Sequence, residues 1–175
     1  MAVELILGGA RSGKSSLAEE LAKKTGLDVI YIATAQAKDD EMQNRILQHK
    51  LRRPAHWQLV EEPLDLSAVL KNNAKAGSLL LVDCLTIWLS NILLQPNWQQ
   101  LLNKEKKELL ELLPTIASPT ILVGNETGLG VVPMGELSRN FVDENGWLHQ
   151  DLAKICDRVI FTVAGLPTVL KGEEL

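Results

Sequence analysis

The stretch "GGARSGKSS", residues 8–16, follows directly on the apolar run "AVELIL" at residues 2–7. From Gly8 to Ser15 it fits the pattern G-x-x-x-x-G-K-[ST], which is typical of a phosphate-binding loop between a strand and a helix. Glycines at these positions let consecutive backbone N–H groups converge on phosphate oxygens, and the N-terminus of the following helix adds positive potential. The sequence therefore predicts a strand, a phosphate loop and a helix at the start of the chain.

Three side chains are expected to act on the phosphates and their metal ion. Lys14 supplies a positive charge to the outer phosphates, and Ser15 is expected to bind Mg²⁺. A carboxylate near the metal usually ends a neighbouring apolar strand. Asp83 ends the run "SLLLVD", so it is the predicted second metal ligand, with capping of the following helix as the alternative role. The loop residues predicted to bind nucleotide are Gly8, Gly9, Ala10, Arg11, Ser12, Gly13, Lys14 and Ser15.

Short aliphatic runs alternate with longer segments of helical periodicity along the chain, which is the pattern of β-α-β units. Several runs lack polar alternation and so predict strands that are covered on both faces. We predict a P-loop NTPase-like three-layer α/β/α sandwich with a mostly parallel sheet, and ligands outside the carboxyl ends of the strands. The predicted strands are 2–7, 28–33, 57–61, 78–83, 119–124 and 158–163. The predicted helices are 14–24, 39–51, 64–74, 85–94, 98–112 and about 136–156.

The composition is that of an ordinary globular protein: 175 residues, 46% hydrophobic and 23% charged, with a net charge of -4. This length predicts one domain over residues 1–175. The net negative charge argues against a nucleic-acid partner. We expect Cys84 and Cys156 to be buried free thiols in a reducing compartment. The N-terminus lacks a signal-peptide pattern and no apolar run reaches the roughly 18 residues of a membrane span, so we predict a cytoplasmic protein without membrane insertion.

Three classes of phosphate-loop protein remain open at this point: a regulatory GTPase, a mechanical ATPase, and a small-molecule kinase or nucleotidyl transferase. The chain has no N-K-x-D element of the kind that a regulatory GTPase uses for guanine. Its 175 residues leave little room for the extra domains of a mechanical ATPase. The sequence therefore favours a transferase.

A basic cluster in the segment 39–63 suits a polyphosphate ligand, although a solvated charge run is the alternative. Its basic and imidazole groups are Arg45, His49, Lys50, Arg52 and Arg53. Neutral imidazole is a competent nucleophile toward phosphorus near pH 7. His49 could therefore attack a nucleotide, whereas a lone histidine on a helix is otherwise a surface or packing residue.

Nine short motifs together resemble one family. In order they are "GGARSGKS", "YIATAQ", "DDEM", "RI", "HK", "RPAHW", "EEP", "NETGLGVVP" and "AGLP". This series is similar to the bifunctional adenosylcobinamide kinase and adenosylcobinamide-phosphate guanylyltransferase family over nearly the whole chain. The resemblance implies phosphorylation of adenosylcobinamide from ATP or GTP. It also implies transfer of GMP from GTP to the resulting phosphate, which gives adenosylcobinamide-GDP and pyrophosphate.

The resemblance also implies roles for individual residues. His49, followed by Lys50, matches the histidine that becomes guanylylated, and Lys14 helps to stabilise the leaving pyrophosphate. Glu61 and Glu62 are left as equal candidates for a guanine or ribose contact. The nucleotide-site residues outside the phosphate loop are Ala33, Thr34, Ala35, Gln36, Lys50, Arg52, Glu61, Glu62 and Asp83.

Other features carry expectations from the same resemblance. In "RPAHW", His56 is expected to be structural, and His149 stands where the family has Asn, a departure expected to loosen a local hydrogen bond. The loop "NETGLGVVP" is a candidate wall of the corrinoid site, and glycines that need positive φ are the alternative reading. The loop residues in question are Asn125, Glu126, Gly128 and Gly130.

The resemblance also implies a homotrimer. Candidate contacts between subunits are the segment 39–63, Trp88 and Trp98. For both tryptophans, burial in the monomer core is the alternative. A monofunctional small-molecule kinase without a covalent intermediate, and a nucleotide-binding switch without transfer chemistry, remain the alternative functions.

Overall fold

The computed structural model of the chain describes residues 2–36, 47 and 53–175. The strands are β1 Val3–Gly8, β2 Asp28–Ala33, β3 Gln58–Glu61, β4 Ser78–Asp83, β5 Thr120–Asn125, β6 Arg158–Val163 and β7 Leu166–Lys171. The helices are α1 Lys14–Lys24, α2 Leu66–Asn73, α3 Leu85–Leu93, α4 Trp98–Leu112 and α5 Glu136–Ile155, with a 3₁₀ turn at Leu113–Thr115.

All seven strands form one sheet in the order β3-β2-β4-β5-β1-β6-β7. Every neighbouring pair is parallel except β6 and β7, which are antiparallel. The first six strands therefore end at the same edge of the sheet, and β1, which leads into the phosphate loop, lies between β5 and β6. The mostly parallel sheet predicted from the sequence is confirmed.

Helices cover both faces of this sheet. On one face Ala18 and Ala22 of α1 pack against Ile6 of β1 and Val123 of β5. On the other face α2, α3, α4 and α5 bury a larger set of apolar side chains around Trp88. The central strands β4 and β5 are buried almost throughout, because aliphatic side chains on both faces meet a helical layer. The predicted three-layer sandwich is confirmed.

The six predicted strands agree with the structure within one residue at either end, and five predicted helices agree within two. The predicted helix 39–51 lies outside the described residues except for Leu47, which is helical and exposed. The strand β7 was not predicted. Trp88 is fully buried and its indole N–H donates to the Leu64 carbonyl oxygen at 2.8 Å, so it belongs to the core and is not a subunit contact.

The two cysteines are free and buried, as expected. Cys84 packs on the α1 face of the sheet and Cys156 on the opposite face, so the two thiols cannot pair. Burial raises the pKa of Cys84 to about 11 and that of Cys156 to about 12. Both therefore stay protonated near neutral pH and are poor nucleophiles.

In the parts of the chain that the structure describes, none of the helices has the length and apolar character that crossing a membrane requires.

Candidate nucleotide site

The phosphate loop runs from Gly8 at the end of β1 to Ser15 in the first turn of α1. A Cβ on Gly8 would lie 2.4 Å from both the Ser12 and Thr162 hydroxyl oxygens and 2.6 Å from the Thr162 carbonyl oxygen. Gly13 precedes α1 with a φ of 100°, in the left-handed region. Both glycines of the motif are therefore required by backbone geometry, one by lack of space and one by conformation.

The turn between β6 and β7 supports this loop from the side. Gly165 N–H donates to the Ser12 carbonyl oxygen at 2.9 Å, and the hydroxyls of Ser12 and Thr162 hydrogen-bond at 2.9 Å. Thr162 also donates to the Leu7 carbonyl oxygen at 3.1 Å. The phosphate loop is thus held by the last hairpin of the chain as well as by its own turn.

Lys14 and Asp83 lie close together at this edge of the sheet. The Lys14 ammonium donates to the Gly9 carbonyl oxygen at 2.9 Å, which holds it over the loop. Burial lowers the pKa of Lys14 below its ordinary value of 10.5, while the neighbouring Cys84 and Asp83 act to raise it. The lysine and the carboxylate therefore come together, as expected of a lysine that contacts phosphate and a carboxylate that contacts its metal ion.

The Asp83 carboxylate accepts a hydrogen bond from the Tyr31 hydroxyl at 2.9 Å. Helix α3 begins after Cys84, which is its N-cap residue, and no side chain caps it. The alternative role of Asp83 as a helix cap is therefore not observed. Val82, the residue before it, is buried on the face of α2 to α5, and since side chains alternate along a strand, Asp83 points to the face of α1, where Ser15 lies.

Ser15 and Asp83 fit a magnesium ion that is held mainly by substrate phosphates. Mg²⁺ keeps several waters and needs only one or two protein ligands when it binds with a nucleotide. Among the residues that the structure describes, no group of three or more His, Cys, Asp or Glu side chains converges as a ready-made metal cage, so the donor set available at the loop is this hydroxyl and carboxylate.

The end of β2 lies next to Asp83, and its residues differ in exposure. Ala33 and Ala35 are partly exposed and Gln36 is exposed. Thr34 is fully buried: its hydroxyl donates to the Cys84 carbonyl oxygen at 2.7 Å and accepts from the Cys84 N–H at 3.1 Å. The expectation that Thr34 lines the nucleotide site is wrong for its side chain, which instead ties the end of β2 to that of β4.

Two glutamates that the sequence could not separate have different surroundings. Glu62 accepts hydrogen bonds from the N–H groups of Leu64 and Asp65, at 2.8 and 3.0 Å, just before α2. It therefore satisfies backbone donors at a helix start. Glu61 is exposed at the carboxyl end of β3, beside Ala33 of β2. Of the two, Glu61 is the better placed to meet a nucleotide.

A stack of aromatic and basic side chains lies behind Asp83. The rings of Tyr31 and Trp57 are 6.5 Å apart between centroids, and the Arg53 guanidinium lies 5.1 Å from the Tyr31 ring centroid. The ammonium of Lys23 lies 5.9 Å from the Trp57 ring centroid. Arg53, the last residue of the predicted basic cluster, is thereby fixed next to the ring whose hydroxyl contacts Asp83. The predicted site residues His49, Lys50 and Arg52 lie outside the described residues.

Of the remaining histidines, His56 was expected to be structural and His149 to stand where the family has Asn. His56 is exposed in the turn before Trp57, which is buried. His149 is 5% exposed, and neither ring nitrogen has a hydrogen-bond partner among the described residues. Burial lowers its pKa below 6.5, while Glu126, whose carboxylate oxygen is 3.9 Å from Nδ1, acts to raise it. The looser hydrogen bonding expected here relative to Asn stays a prediction.

The loop after β5 was also a predicted site element, and it joins the phosphate loop directly. Glu126 N–H donates to the Gly8 carbonyl oxygen at 2.9 Å. Neither Gly128 nor Gly130 has a positive φ, so the alternative explanation of these glycines by left-handed backbone is wrong. This loop exposes several large apolar side chains, a feature that the sequence reasoning did not anticipate: Leu129, Val131, Val132 and Met134.

Comparisons with known proteins show which family the chain resembles. Residues 4–170 match the model of the cobinamide kinase / cobinamide phosphate guanyltransferase family. The bifunctional adenosylcobalamin biosynthesis protein CobP of Pseudomonas aeruginosa is 63% identical over 172 residues, which covers 98% of this chain and 99% of that protein. The bifunctional adenosylcobalamin biosynthesis protein CobU of Escherichia coli is 35% identical, covering 95% of this chain and 98% of the other.

Solved structures resemble the fold at low sequence identity. The protein PH0250 from Pyrococcus horikoshii has a TM-score of 0.58 at 8% identity, covering 99% of this chain and 87% of that one. The ATPase EscN of enteropathogenic E. coli has a TM-score of 0.55 at 14% identity, covering 91% of this chain and 41% of its own. These two show the P-loop NTPase-like fold alone. The match over nearly the full length to two bifunctional proteins and to the family model shows more: the chain belongs to the cobinamide kinase / cobinamide phosphate guanyltransferase family.

Proposed function

We propose that the protein is a bifunctional enzyme that phosphorylates adenosylcobinamide and then attaches GMP to the phosphate through a guanylylated His49. The observation that carries this proposal is the phosphate loop with Lys14 beside Asp83, in a chain that matches the family from residue 4 to residue 170. The substrates are ATP or GTP for the first step and GTP for the second.

In the kinase step, the hydroxyl oxygen of the acceptor attacks the γ-phosphorus. The bond from that phosphorus to the β–γ bridging oxygen breaks, and a nucleoside diphosphate leaves. The loop N–H groups and Lys14 stabilise the charge that grows on the leaving phosphates. A magnesium ion held by Ser15 and Asp83 would neutralise further phosphate charge when bound.

In the guanylyl step, an imidazole nitrogen of His49 attacks the α-phosphorus of GTP and pyrophosphate leaves. A phosphate oxygen of adenosylcobinamide phosphate then attacks the same phosphorus, the phosphorus–nitrogen bond breaks, and His49 is regenerated. Two successive displacements let the bulky corrinoid enter after pyrophosphate has gone, so one phosphate site serves both transfers.

Covalent geometry is consistent with His49 as the nucleophile. Arg53 lies four positions after it, and four positions span at most about 14 Å between Cα atoms. Arg53 contacts Tyr31, which donates to Asp83. The short sequence distance from His49 to a residue beside the Asp83 site supports the proposal. Lys50 and Arg52, which lie between His49 and Arg53 in the sequence, are proposed to contact phosphates.

The test is covalent labelling with GTP that carries ³²P at the α-phosphate, followed by denaturation. The wild-type protein should retain label that is stable to alkali and labile to acid, as a phosphoramidate is. His49→Ala should retain none, whereas the matched control His56→Ala, at an exposed histidine seven residues further on, should label normally. Undiminished label on His49→Ala would refute the assignment.

The same experiment distinguishes the alternatives. Absence of label in a protein that still phosphorylates cobinamide would identify a monofunctional kinase. Failure to turn over either nucleotide with any corrinoid alcohol would identify a binding protein.

Several properties of the enzyme belong to the same proposal. We propose that it is a single domain, requires Mg²⁺, works as a homotrimer in the cytoplasm and binds no nucleic acid. Two buried free thiols support a reducing compartment, and the net charge of -4 supports a small-molecule substrate rather than a polyanion. Trp98, which is only partly buried against the core, stays a candidate subunit contact; sedimentation of the full-length protein measures the assembly.

A further inference from the structure

A cleft lies on the face of the sheet opposite α1, between α3 and the first half of α5. Its volume is about 420 Å³, within the range of small-molecule sites. Leu93 and Leu94 at the end of α3 form one wall, Leu137, Phe141 and Val142 of α5 form the other, and Thr127 stands at the end nearer the sheet. None of the described side chains that line it is charged, so it suits a neutral ligand.

Exposed apolar side chains lie on the rim of the cleft and in the loop that leads into α5. Val131 and Met134 in the loop that precedes α5 are each 96% exposed, and Leu94 on the opposite rim is 58% exposed. The Arg139 guanidinium donates to the carbonyl oxygens of Pro133 and Met134, which fixes the loop against α5. Exposed apolar side chains grouped around a cleft mark a binding site rather than ordinary surface.

Thr127, which lines the cleft, is hydrogen-bonded to a buried polar side chain behind it. Asn145, which is 1% exposed, donates through Nδ2 to the Asn125 carbonyl oxygen at 3.0 Å and to Thr127 Oγ1 at 3.2 Å. Because Thr127 Oγ1 accepts this bond, its hydroxyl proton is directed elsewhere. Asn145 Oδ1 and both ring nitrogens of His149 are buried without a hydrogen-bond partner among the described residues, which is rare in proteins.

These groups continue one face of α5. Phe141, Asn145 and His149 are four residues apart in turn, so they follow one another along the helix from the cleft inward. At the far end, Glu126 approaches His149 at 3.9 Å and donates its N–H to Gly8 of the phosphate loop. The loop after β5 therefore contributes Thr127 to the cleft and, through the adjacent Glu126, contacts the loop that grips the transferred phosphate.

We propose that this cleft binds one edge of the corrinoid acceptor, with Thr127 donating to a carboxamide oxygen on its periphery. This inference rests on the proposed function. A macrocycle whose periphery carries uncharged amides offers apolar edges to the walls and carboxamide oxygens to the Thr127 hydroxyl. The hydroxyl arm can then cross the carboxyl edge of the sheet to the phosphate loop, opposite the face that holds α1.

The test is equilibrium dialysis of cobinamide against the full-length protein and its variants, with GTP affinity measured in parallel. Thr127→Val keeps the shape and removes the hydroxyl, and we expect cobinamide binding to weaken about two- to tenfold, with recovery in Thr127→Ser. Leu94→Asp places a charge that the ligand must desolvate, and should weaken binding at least about tenfold. Leu170→Asp, at an exposed leucine of β7 outside the cleft, is the matched control and should bind cobinamide normally.

Each result bears on a different claim. Normal cobinamide affinity in Thr127→Val and Leu94→Asp, in a wild-type protein that phosphorylates cobinamide, would overturn the cleft assignment and leave the proposed function intact. A wild-type protein that neither binds nor phosphorylates cobinamide would overturn both. A change in sedimentation of Leu94→Asp with unaltered cobinamide affinity would identify the cleft as a contact between copies of the chain, and so would also overturn the assignment.

Discussion

The Tyr31 hydroxyl donates a 2.9 Å hydrogen bond to Oδ2 of Asp83, from the adjacent strand of the sheet. Burial raises the pKa of Tyr31 above its ordinary value of 10, with a further contribution from Asp83, so the phenol remains a donor at any working pH. The tyrosine thus fixes the orientation of the carboxylate that is proposed to bind magnesium.

Tyr31→Phe should raise the Mg²⁺ concentration needed for half-maximal activity severalfold, because the carboxylate loses its orienting donor. The free energy of unfolding should fall by about 1 to 3 kcal/mol, as for loss of a buried hydrogen bond to a charged group. Titrating magnesium in the guanylylation assay and in a nucleotide-binding assay measures the first effect, and urea unfolding measures the second. An unchanged magnesium dependence would show that Tyr31 is only a packing residue.

Gly8→Ala should abolish measurable nucleotide binding and destabilise the protein, since its Cβ would overlap the Thr162 backbone, which cannot move without displacing β6. Gly9→Ala is the matched control in the same loop: its Cβ meets nothing within 4 Å and the residue has no positive φ. Binding of a fluorescent GTP analogue and thermal unfolding compare the two. Equal nucleotide affinity in both variants would contradict the close approach of strand and loop.

Glu61→Gln and Glu62→Gln should separate a ligand contact from a structural one. Glu61→Gln should weaken nucleotide binding about tenfold or more. Glu62→Gln should leave nucleotide affinity unaltered and lower the free energy of unfolding by about 1 kcal/mol, because it weakens two hydrogen bonds from backbone N–H groups just before α2. Calorimetric GTP titration combined with urea unfolding gives both quantities, and the reverse pattern would assign the nucleotide contact to Glu62.

Because of His149, the free energy of unfolding should fall in mildly acidic solution. Its pKa is lowered in the folded protein from an ordinary value of 6.5 by burial, and the nearby Glu126 only partly offsets this. The unfolded chain therefore binds the proton more readily. The contribution of the neutral His149 ring to the free energy of unfolding is complete above pH 6.5 and is lost as pH falls below that value. Urea unfolding at pH 7.5 and 5.5 should show a smaller pH difference for His149→Asn than for the wild type. An equal difference would mean that the ring is as accessible to protons when folded as when unfolded.

The spacing of apolar runs predicted six of the seven strands of the described sheet. The seventh, β7, was missed for a physical reason. Strand β7 is exposed on nearly every residue, so it leaves no buried stripe in the sequence. It also contains Pro167, which is tolerated because the strand lies at the edge of the sheet. The connecting turn uses Ala164 and Gly165 at positive φ, where an alanine gives no turn signal.

The site was less predictable than the fold. The phosphate loop could be read from Gly8 to Ser15 because one contiguous motif determines it. The surroundings of Glu62 and Thr34 depend on which strands are neighbours, and the sequence gives no strand order. The cleft near Thr127 is formed by α3 and α5, which are more than 40 residues apart in the chain, so only the folded structure brings its two walls together.

The hydrogen bond from Gly165 to Ser12 has a consequence for synthesis of the protein. The ribosome makes the phosphate-binding segment some 150 residues before the turn that supports it. A nascent chain therefore acquires its full affinity for triphosphates only after that turn has emerged, and products truncated before the turn should have an incompletely supported phosphate loop.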